Sequence, residues 1–413
     1  MSPGPPTTLQ FVSHIHLIRY LIIWRVNASL VHLPRCLSLP LSHTLGSLIA
    51  ERLPTQDARP WRKAMAAWSD QDKAAEELAK EPIARGKKAG KGSARKGAKA
   101  LPAEPFVKAP PNADWPIQAV LFPLPAKRTY GQGEPIVWEL KLLGDDADHG
   151  LFLELILPAM EQAATTTDPR WRRPNGLWGR FDIQAVYAAR GPHWEPVVSD
   201  GRLDLGYRAL PAQWAEGWPL DLPGARDADA PIAAPISAGP EETSDQMLLA
   251  SSETAGAGDG ASTAEAATDL AERRPRPPAS RRPGPAARLQ RVTWITPFDL
   301  ATAHRAPSMR ELFDAFIARM TLFAPGKRPT ADQVWALLDP AERQAIEADL
   351  EKAAAVQVKR SLLVSAPKGW PGRWIGAHAF DAITPRLASY LELAAILHVG
   401  RQTHFGCGTF KLS

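Results

Sequence analysis

Residues 374–413 read WIGAHAFDAITPRLASYLELAAILHVGRQTHFGCGTFKLS, and the order of patterns within them decides the fold. WIGAHAFDAI is strand-like, LASYLELAAIL is helical, and HVGRQTHFGCGTFKLS is a glycine-rich turn running into a final strand. Upstream, RVTWITPFDL (291–300) alternates as a strand. SMRELFDAFIARMTLF (308–323) and TADQVWALLDPAERQAIEADLEKAAA (330–355) are amphipathic helical stretches with Ser308 and Thr330 as caps. Strand, helix, strands, helix, strand is the βαββαβ pattern of a ferredoxin-like unit.

The first half carries a second, less sharply drawn version. RYLIIWRVNASLVHL (19–33) is a β-type run, and LSHTLGSLIAERL (41–53) spaces Leu45, Leu48, Ile49 and Leu53 as a helix, with Ser42 as its expected N-cap. IQAVLF, the turn TYGQGEP, IVWELKLLG and GRFDIQAVYAAR supply strands between Trp115 and Tyr207. LFLELILPAMEQAA (151–164) is helical, with Pro158 expected to kink it or delay its start. The expected fold class is therefore α+β, with two ferredoxin-like (RRM-like) domains. Residues 1–220 form the first, with a disordered basic segment near 84–100 (ARGKKAGKGSARKGAKA); 221–287 is a low-complexity linker or insertion; 288–413 form the second.

Composition narrows the partners. The 40 prolines among 413 residues imply much turn and linker. Ten acids against Arg226 alone between Ala225 and Glu272 give that stretch −9, so with a whole-chain charge of +5 the remainder carries +14. Such a surplus suits a polyanion, nucleic acid above all; a basic protein without such a partner is the alternative. Two cysteines, Cys36 and Cys407, exclude a disulfide framework and a four-ligand zinc site. Leu17 to Val26, broken by Arg19 and Arg25, is too short to span a bilayer, so a soluble, cytoplasmic protein is expected.

The last sixteen residues hold the most chemistry. Gly400, Gly406 and Gly408 permit positive φ and close approach of a ligand, so that successive N–H groups could cradle an anion, with Arg401 and Lys411 adding charge. No Gly-Lys-Ser/Thr follows, so this is not a Walker A motif. A tight structural turn explains the same glycines.

LAAILHVGRQTHFGCGTFKL resembles the C-terminal glycine-rich signature of the CRISPR-associated RAMP-superfamily endoribonucleases that process precursor CRISPR RNA. RVTWITPFDL, MRELFDAFIARMTLF and WIGAHAFDAITPRLASYLELAAIL resemble, in order, the pieces preceding that signature; GQGEPIVWELKLLG and NGLWGRFDIQAVY are similar to the end of the family's N-terminal domain. Gln402 stands where a Gly is common, Cys407 where a Leu is usual, and Trp178 interrupts what is often Gly-x-Gly-Arg. The resemblance implies two RRM-like domains gripping a CRISPR repeat RNA in precursor crRNA. Cleavage would be metal-independent, by 2′-OH attack giving a 2′,3′-cyclic phosphate, with no cofactor and with other effector subunits as further partners.

That chemistry needs a base, an anion stabiliser and an acid. His43, near the start of the first helix where the family often places its general base, is the catalytic candidate, and His32 is the runner-up. His404 joins Gly400, Arg401, Gly406, Gly408 and Lys411 as an RNA contact. His398, His404 and Cys407 lack a fourth ligand, so no metal is expected. Arg172, Arg173 and Arg180, among Trp171, Trp178, Trp194, Trp214 and Trp218, suggest a loop that stacks on unpaired bases and holds phosphate, although tryptophan more often packs into a core. A non-catalytic RAMP subunit that binds crRNA within an effector complex is the alternative function, and a proline-rich interaction protein with no RNA role is the third.

Overall fold

The apolar run at residues 17–26 forms a strand with two buried faces. β1 (Leu17–Val26) places Ile18, Tyr20, Ile22 and Trp24 on one side and Leu17, Arg19 and Leu21 on the other. The chain turns at 27–29 into β2 (Leu30–His32), so the run expected as one strand is two. Next come α1 (Ser38–Arg52), α2 (Thr55–Lys80), β3 (Ala119–Pro123), β4 (Thr129–Gly131) and β5 (Pro135–Leu143). α3 (His149–Leu151) runs through a π-helical turn (Phe152–Ile156) into α4 (Leu157–Thr165). Pro158 is the second residue of α4, directly after the π-helical turn, so the helical run expected to kink or start late there begins at His149 and continues through it. β6 (Phe181–Arg190), β7 (His193–Ser199) and β8 (Arg202–Leu203) complete the first half.

The second half comprises β9 (Arg291–Phe298), α5 (Met309–Met320), α6 (Ala331–Trp335), α7 (Pro340–Ala354), β10 (Arg360–Ser361), β11 (Val364–Ser365), β12 (Trp374–Ala379), α8 (Pro385–Leu397) and β13 (Phe410–Leu412). Ser308 and Thr330 both close capping boxes, with Glu311 and Gln333 reaching back to them. The stretch at 330–355 is broken where α7 begins at Pro340. The structure, a computed structural model, describes residues 11–80, 110, 113–124, 127–217, 291–302, 306–323, 330–354, 360–380 and 383–413. The expected basic segment at 84–100, the linker at 221–287 and Trp218 lie outside these. Among the described residues no helix is long and apolar enough to cross a membrane.

Helix and antiparallel sheet thus alternate as an α+β pattern. The first sheet is ordered β3-β5-β1-β6-β7-β8, and the second β10-β12-β9-β13, with β11 also on β12. In each, the βαββαβ succession puts the first and third of its four strands in the centre. The register aligns Tyr20 with Leu140 and with Ala188, so one face of the first sheet buries Tyr20, Trp24, Trp138 and Leu140 against Leu45, Phe152 and Met160.

The opposite face belongs to a second core. Leu17, Val120 and Leu143 pack there with Phe316, Met320, Leu397 and Val399, so the described residues form one compact unit instead of two separable domains. The same face carries Arg19, Glu139 and Lys141, brought into line by the pairings Arg19↔Lys141 and Leu21↔Glu139.

One core residue carries a pH cost. His378 on β12 is 1 % exposed, neither ring nitrogen has a hydrogen-bond partner, and it lies against Trp294 and Phe380. Burial pushes its pKa down to about 4. The unfolded chain takes up this proton near pH 6.5 and the folded chain only near 4, so stability is lost as pH falls through that window, by roughly 3 kcal/mol. His398 and His404, also held below the usual histidine range by burial, add in the same direction. Denaturant titrations at pH 7 and 4.5 should show this loss, and His378→Leu should make the decrease smaller; an unchanged decrease would rule out His378 as a source.

Candidate nucleic-acid interface

The glycine-rich turn is the joint between the two halves. Its glycines are required by the protein's own packing: at Gly408 (φ 83°) a Cβ would fall 1.9 Å from the Val399 carbonyl oxygen, and at Gly406 (φ 77°) 2.7 Å from that of Leu121. The Gly406 amide donates to Thr403 O at 2.9 Å, and that of Gly408 to Pro297 O at 2.9 Å. Both glycines are buried. The anion cradle expected from their N–H groups is thus replaced by an internal one, and the structural-turn reading accounts for them. Gly400, also at positive φ, is half-buried, whereas Arg401 and Lys411 are exposed.

His404 is corrected in the same way. It is 4 % exposed, its Nδ1 lies 3.0 Å from Ala119 O and its Nε2 2.8 Å from Ser42 Oγ. The ring therefore donates to the carbonyl and accepts from the hydroxyl, as a neutral imidazole must. Ser42, expected as a helix cap, lies inside α1, which starts at Ser38; its hydroxyl serves this contact across 362 residues of sequence. Trp115 reinforces it, donating to Ser42 O at 3.0 Å and lying 5.3 Å from the His404 ring.

A second fastening uses buried charge. Arg19 Nε meets Glu139 Oε1 at 2.6 Å, Glu139 Oε2 lies 3.7 Å from Lys141 Nζ, and Lys141 donates to Ile396 O at 2.7 Å and to His398 Nε2 at 3.0 Å. Arg319 donates to Leu397 O at 3.1 Å. Ile396 and Leu397 end α8, so two buried cations cap carbonyls that have no intrahelical partner, at the negative end of the helix dipole. Burial lowers Lys141 to about 8, with Glu139 pulling it back up, and lowers Arg319 to about 9. Burial alone would raise Glu139, but Arg19 and Lys141 bring it below the usual carboxylate range.

Between the halves lies a cleft of about 460 Å³ lined by Asp114, Trp115, Gln118, Arg319, Arg401 and His404, among others. His43 stands one residue from Ser42. It is in the second turn of α1, half-buried, stacked on Trp68 at 5.1 Å and met edge-on by Trp171 at 5.2 Å. Trp68 in turn touches Phe405 of the glycine turn. The Trp68 and Trp171 indole N–H groups are shielded from solvent, and neither has an acceptor.

Trp171 belongs to the loop of Arg172 and Arg173, both exposed, which Arg170 ties to α1 through Glu51 at 3.0 Å. Arg180 is half-buried and donates to Gly176 O. His32, exposed on β2, has its amide on Asn175 O at 2.6 Å and its ring on Thr129, so it borders the same loop. The fold thus gathers His43, His32, Arg172 and Arg173 around one loop. Trp178 and Trp214 are buried, and Trp194 lies under Arg19. Sequence reading missed Ser42, Arg319 and Lys141; Glu139 and Lys141, two charges alternating within an apolar strand, were the legible sign.

No family model matches the chain and no curated protein does. Solved structures give resemblances over most of its length. A Cas6 product complex aligns with TM-score 0.38 and 13 % identity, over 96 % of this chain and 100 % of that one. A partial Cas6-RT-Cas1–Cas2 complex aligns with TM-score 0.39 and 8 % identity, over 96 % of this chain and 46 % of that one. The chain is thus similar to Cas6-containing structures over 96 % of its length.

The His404 fastening has a measurable size. Ser42→Ala and His404→Ala should each lower stability by about 1–3 kcal/mol, and the double variant by clearly less than the sum, because both remove the same hydrogen bond and each single change strands the other residue. Additive losses in a denaturant double-mutant cycle would show that the two side chains do not act as a pair.

Proposed function

We propose that this protein is an RNA-processing endoribonuclease of CRISPR type, which binds repeat RNA and cuts precursor crRNA without metal. The observation that carries the reading is the convergence of His43, two indole N–H groups without acceptors and the exposed arginines of one loop on a helix that the glycine-rich turn holds in place. The resemblance of that turn to the RAMP signature supports it.

On this reading the ribose 2′-OH, already beside its phosphate, is the nucleophile. His43 removes its proton, Arg172 and Arg173 offset the charge of the crowded phosphorane, and Arg401 and Lys411 hold flanking phosphates. As the 2′-oxygen joins phosphorus the P–O5′ bond breaks, and the departing 5′-oxygen takes a proton from water, leaving a 2′,3′-cyclic phosphate and a 5′-OH. Other effector subunits are its expected partners. His43 lies between indoles whereas His32 is open to solvent, which favours a second reading in which His32 is the base. A crRNA-binding subunit without catalysis is the alternative from another class.

Labelled repeat RNA incubated with the protein in EDTA separates these. Wild type should cut, and His43→Ala should bind nearly as well but cut about 10²- to 10⁴-fold more slowly. Slowing confined to His32→Ala assigns the base there instead. Binding without cutting by wild type establishes the non-catalytic subunit, and neither binding nor cutting removes the RNA reading.

A further inference from the structure

Beside the glycine turn, the loop APKGWPGR (366–373) joins β11 to β12. It is held from both ends and from the middle. Ala366 donates to Arg373 O at 2.9 Å, Arg373 to Phe298 O at 2.9 Å, and Gly372 to the Gln402 side chain at 2.6 Å. Gln402 is the residue next to Arg401, so this loop and the turn form one continuous, pre-shaped surface. The Arg373 guanidinium is exposed and lies 5.3 Å from the Trp374 ring centroid. Trp370 and Trp374 are half-buried, and Lys368 and Arg401 are exposed. No Asp or Glu occurs from residue 366 to 375; the nearby Asp299 carboxylate accepts the Ala301 amide.

We propose that this loop and Arg401 form a second RNA-contact surface, which takes unpaired nucleotides by stacking a base on Trp370 while Arg373 and Arg401 hold the adjoining phosphates. The inference rests on the reading of the chain as an RNA-binding protein, and adds to it a preference for single-stranded RNA at a loop other than that of Arg172 and Arg173. An aromatic ring offers its face only to a base free of its stack, so a duplex gains nothing from Trp370. A guanidinium already lying over an indole is a flat cation on which a base can also stack. Exposed cations with no acid in the loop fit a phosphate backbone better than they fit a mixed-charge protein surface.

The test uses the full chain and a short unstructured RNA, unrelated to any repeat, carrying a central 2-aminopurine. Wild type should bind it and quench the probe, and a duplex of equal length should bind without quenching. Trp370→Ala should weaken single-strand binding about tenfold, and Trp370→Phe should recover most of it. Arg373→Ala should lower the slope of log K against log[salt] by about 0.7. If Trp370→Ala melts like wild type and binds the single strand equally well, the proposal is overturned; Arg373→Ala with an unchanged salt slope overturns it even where Trp370→Ala fails to fold. Lack of wild-type binding to the unstructured strand also overturns it. Repeat cleavage, assayed in parallel, reports on the proposed catalytic site and not on Trp370, so a protein that cuts repeats but ignores Trp370 keeps its function and loses only this surface.

Discussion

Two cationic side chains, an ammonium and a guanidinium, sealed inside a protein need an anion or an ordered set of carbonyls, and here the end of α8 supplies carbonyls. Lys141 comes from the first sheet and Arg319 from α5, and both donate to the last carbonyls of α8. Glu139 offsets part of the cost of removing Lys141 from water, and the α8 carbonyls offset more of it, and that of Arg319, once the two halves are joined. The turn that follows α8 is then committed in direction, because His398 accepts from Lys141 and lies 3.0 Å from Cys407 O. Six residues later His404 reaches Ser42. The glycine turn, and Phe405 against Trp68 beside His43, inherit their placement from this sequence of contacts.

The arrangement divides labour within the most informative stretch of the chain. Residues that look ready to meet a ligand, Gly406, Gly408 and His404, are used up in joining the halves, and those left over, Arg401 and Lys411, are cations at the surface. A turn that is rigid for internal reasons presents its charges in fixed positions. A polyanion can therefore be met without ordering the loop at the time of binding, which spares the complex an entropic cost.

Much of the architecture was legible because it depends on local pattern. The caps Ser308 and Thr330 are spelled out in four-residue motifs, and the alternation of residues 291–298 can only sit as a strand with one buried face. Less was legible where distance in sequence intervenes. Ser42 reads as a cap because small hydroxyl residues before an apolar run usually are; its partner lies at position 404, and no local rule connects them. The start of α1 was hidden by Pro40, which reads as a boundary yet fits a first turn whose amides need no partner. His43 was found by its neighbourhood in the chain, whereas the indoles around it come from residues 68 and 171.

The double-faced first sheet has a consequence for how the chain is made. All its ladders lie between residues 17 and 203, so they can close while the second half is still being synthesised. Until then Leu17, Val120 and Leu143 face water in place of Phe316 and Leu397, and Lys141 has no helix end to cap. The nascent first half is thus a sheet with one finished side and one adhesive side for as long as translation takes to deliver the residues that cover it.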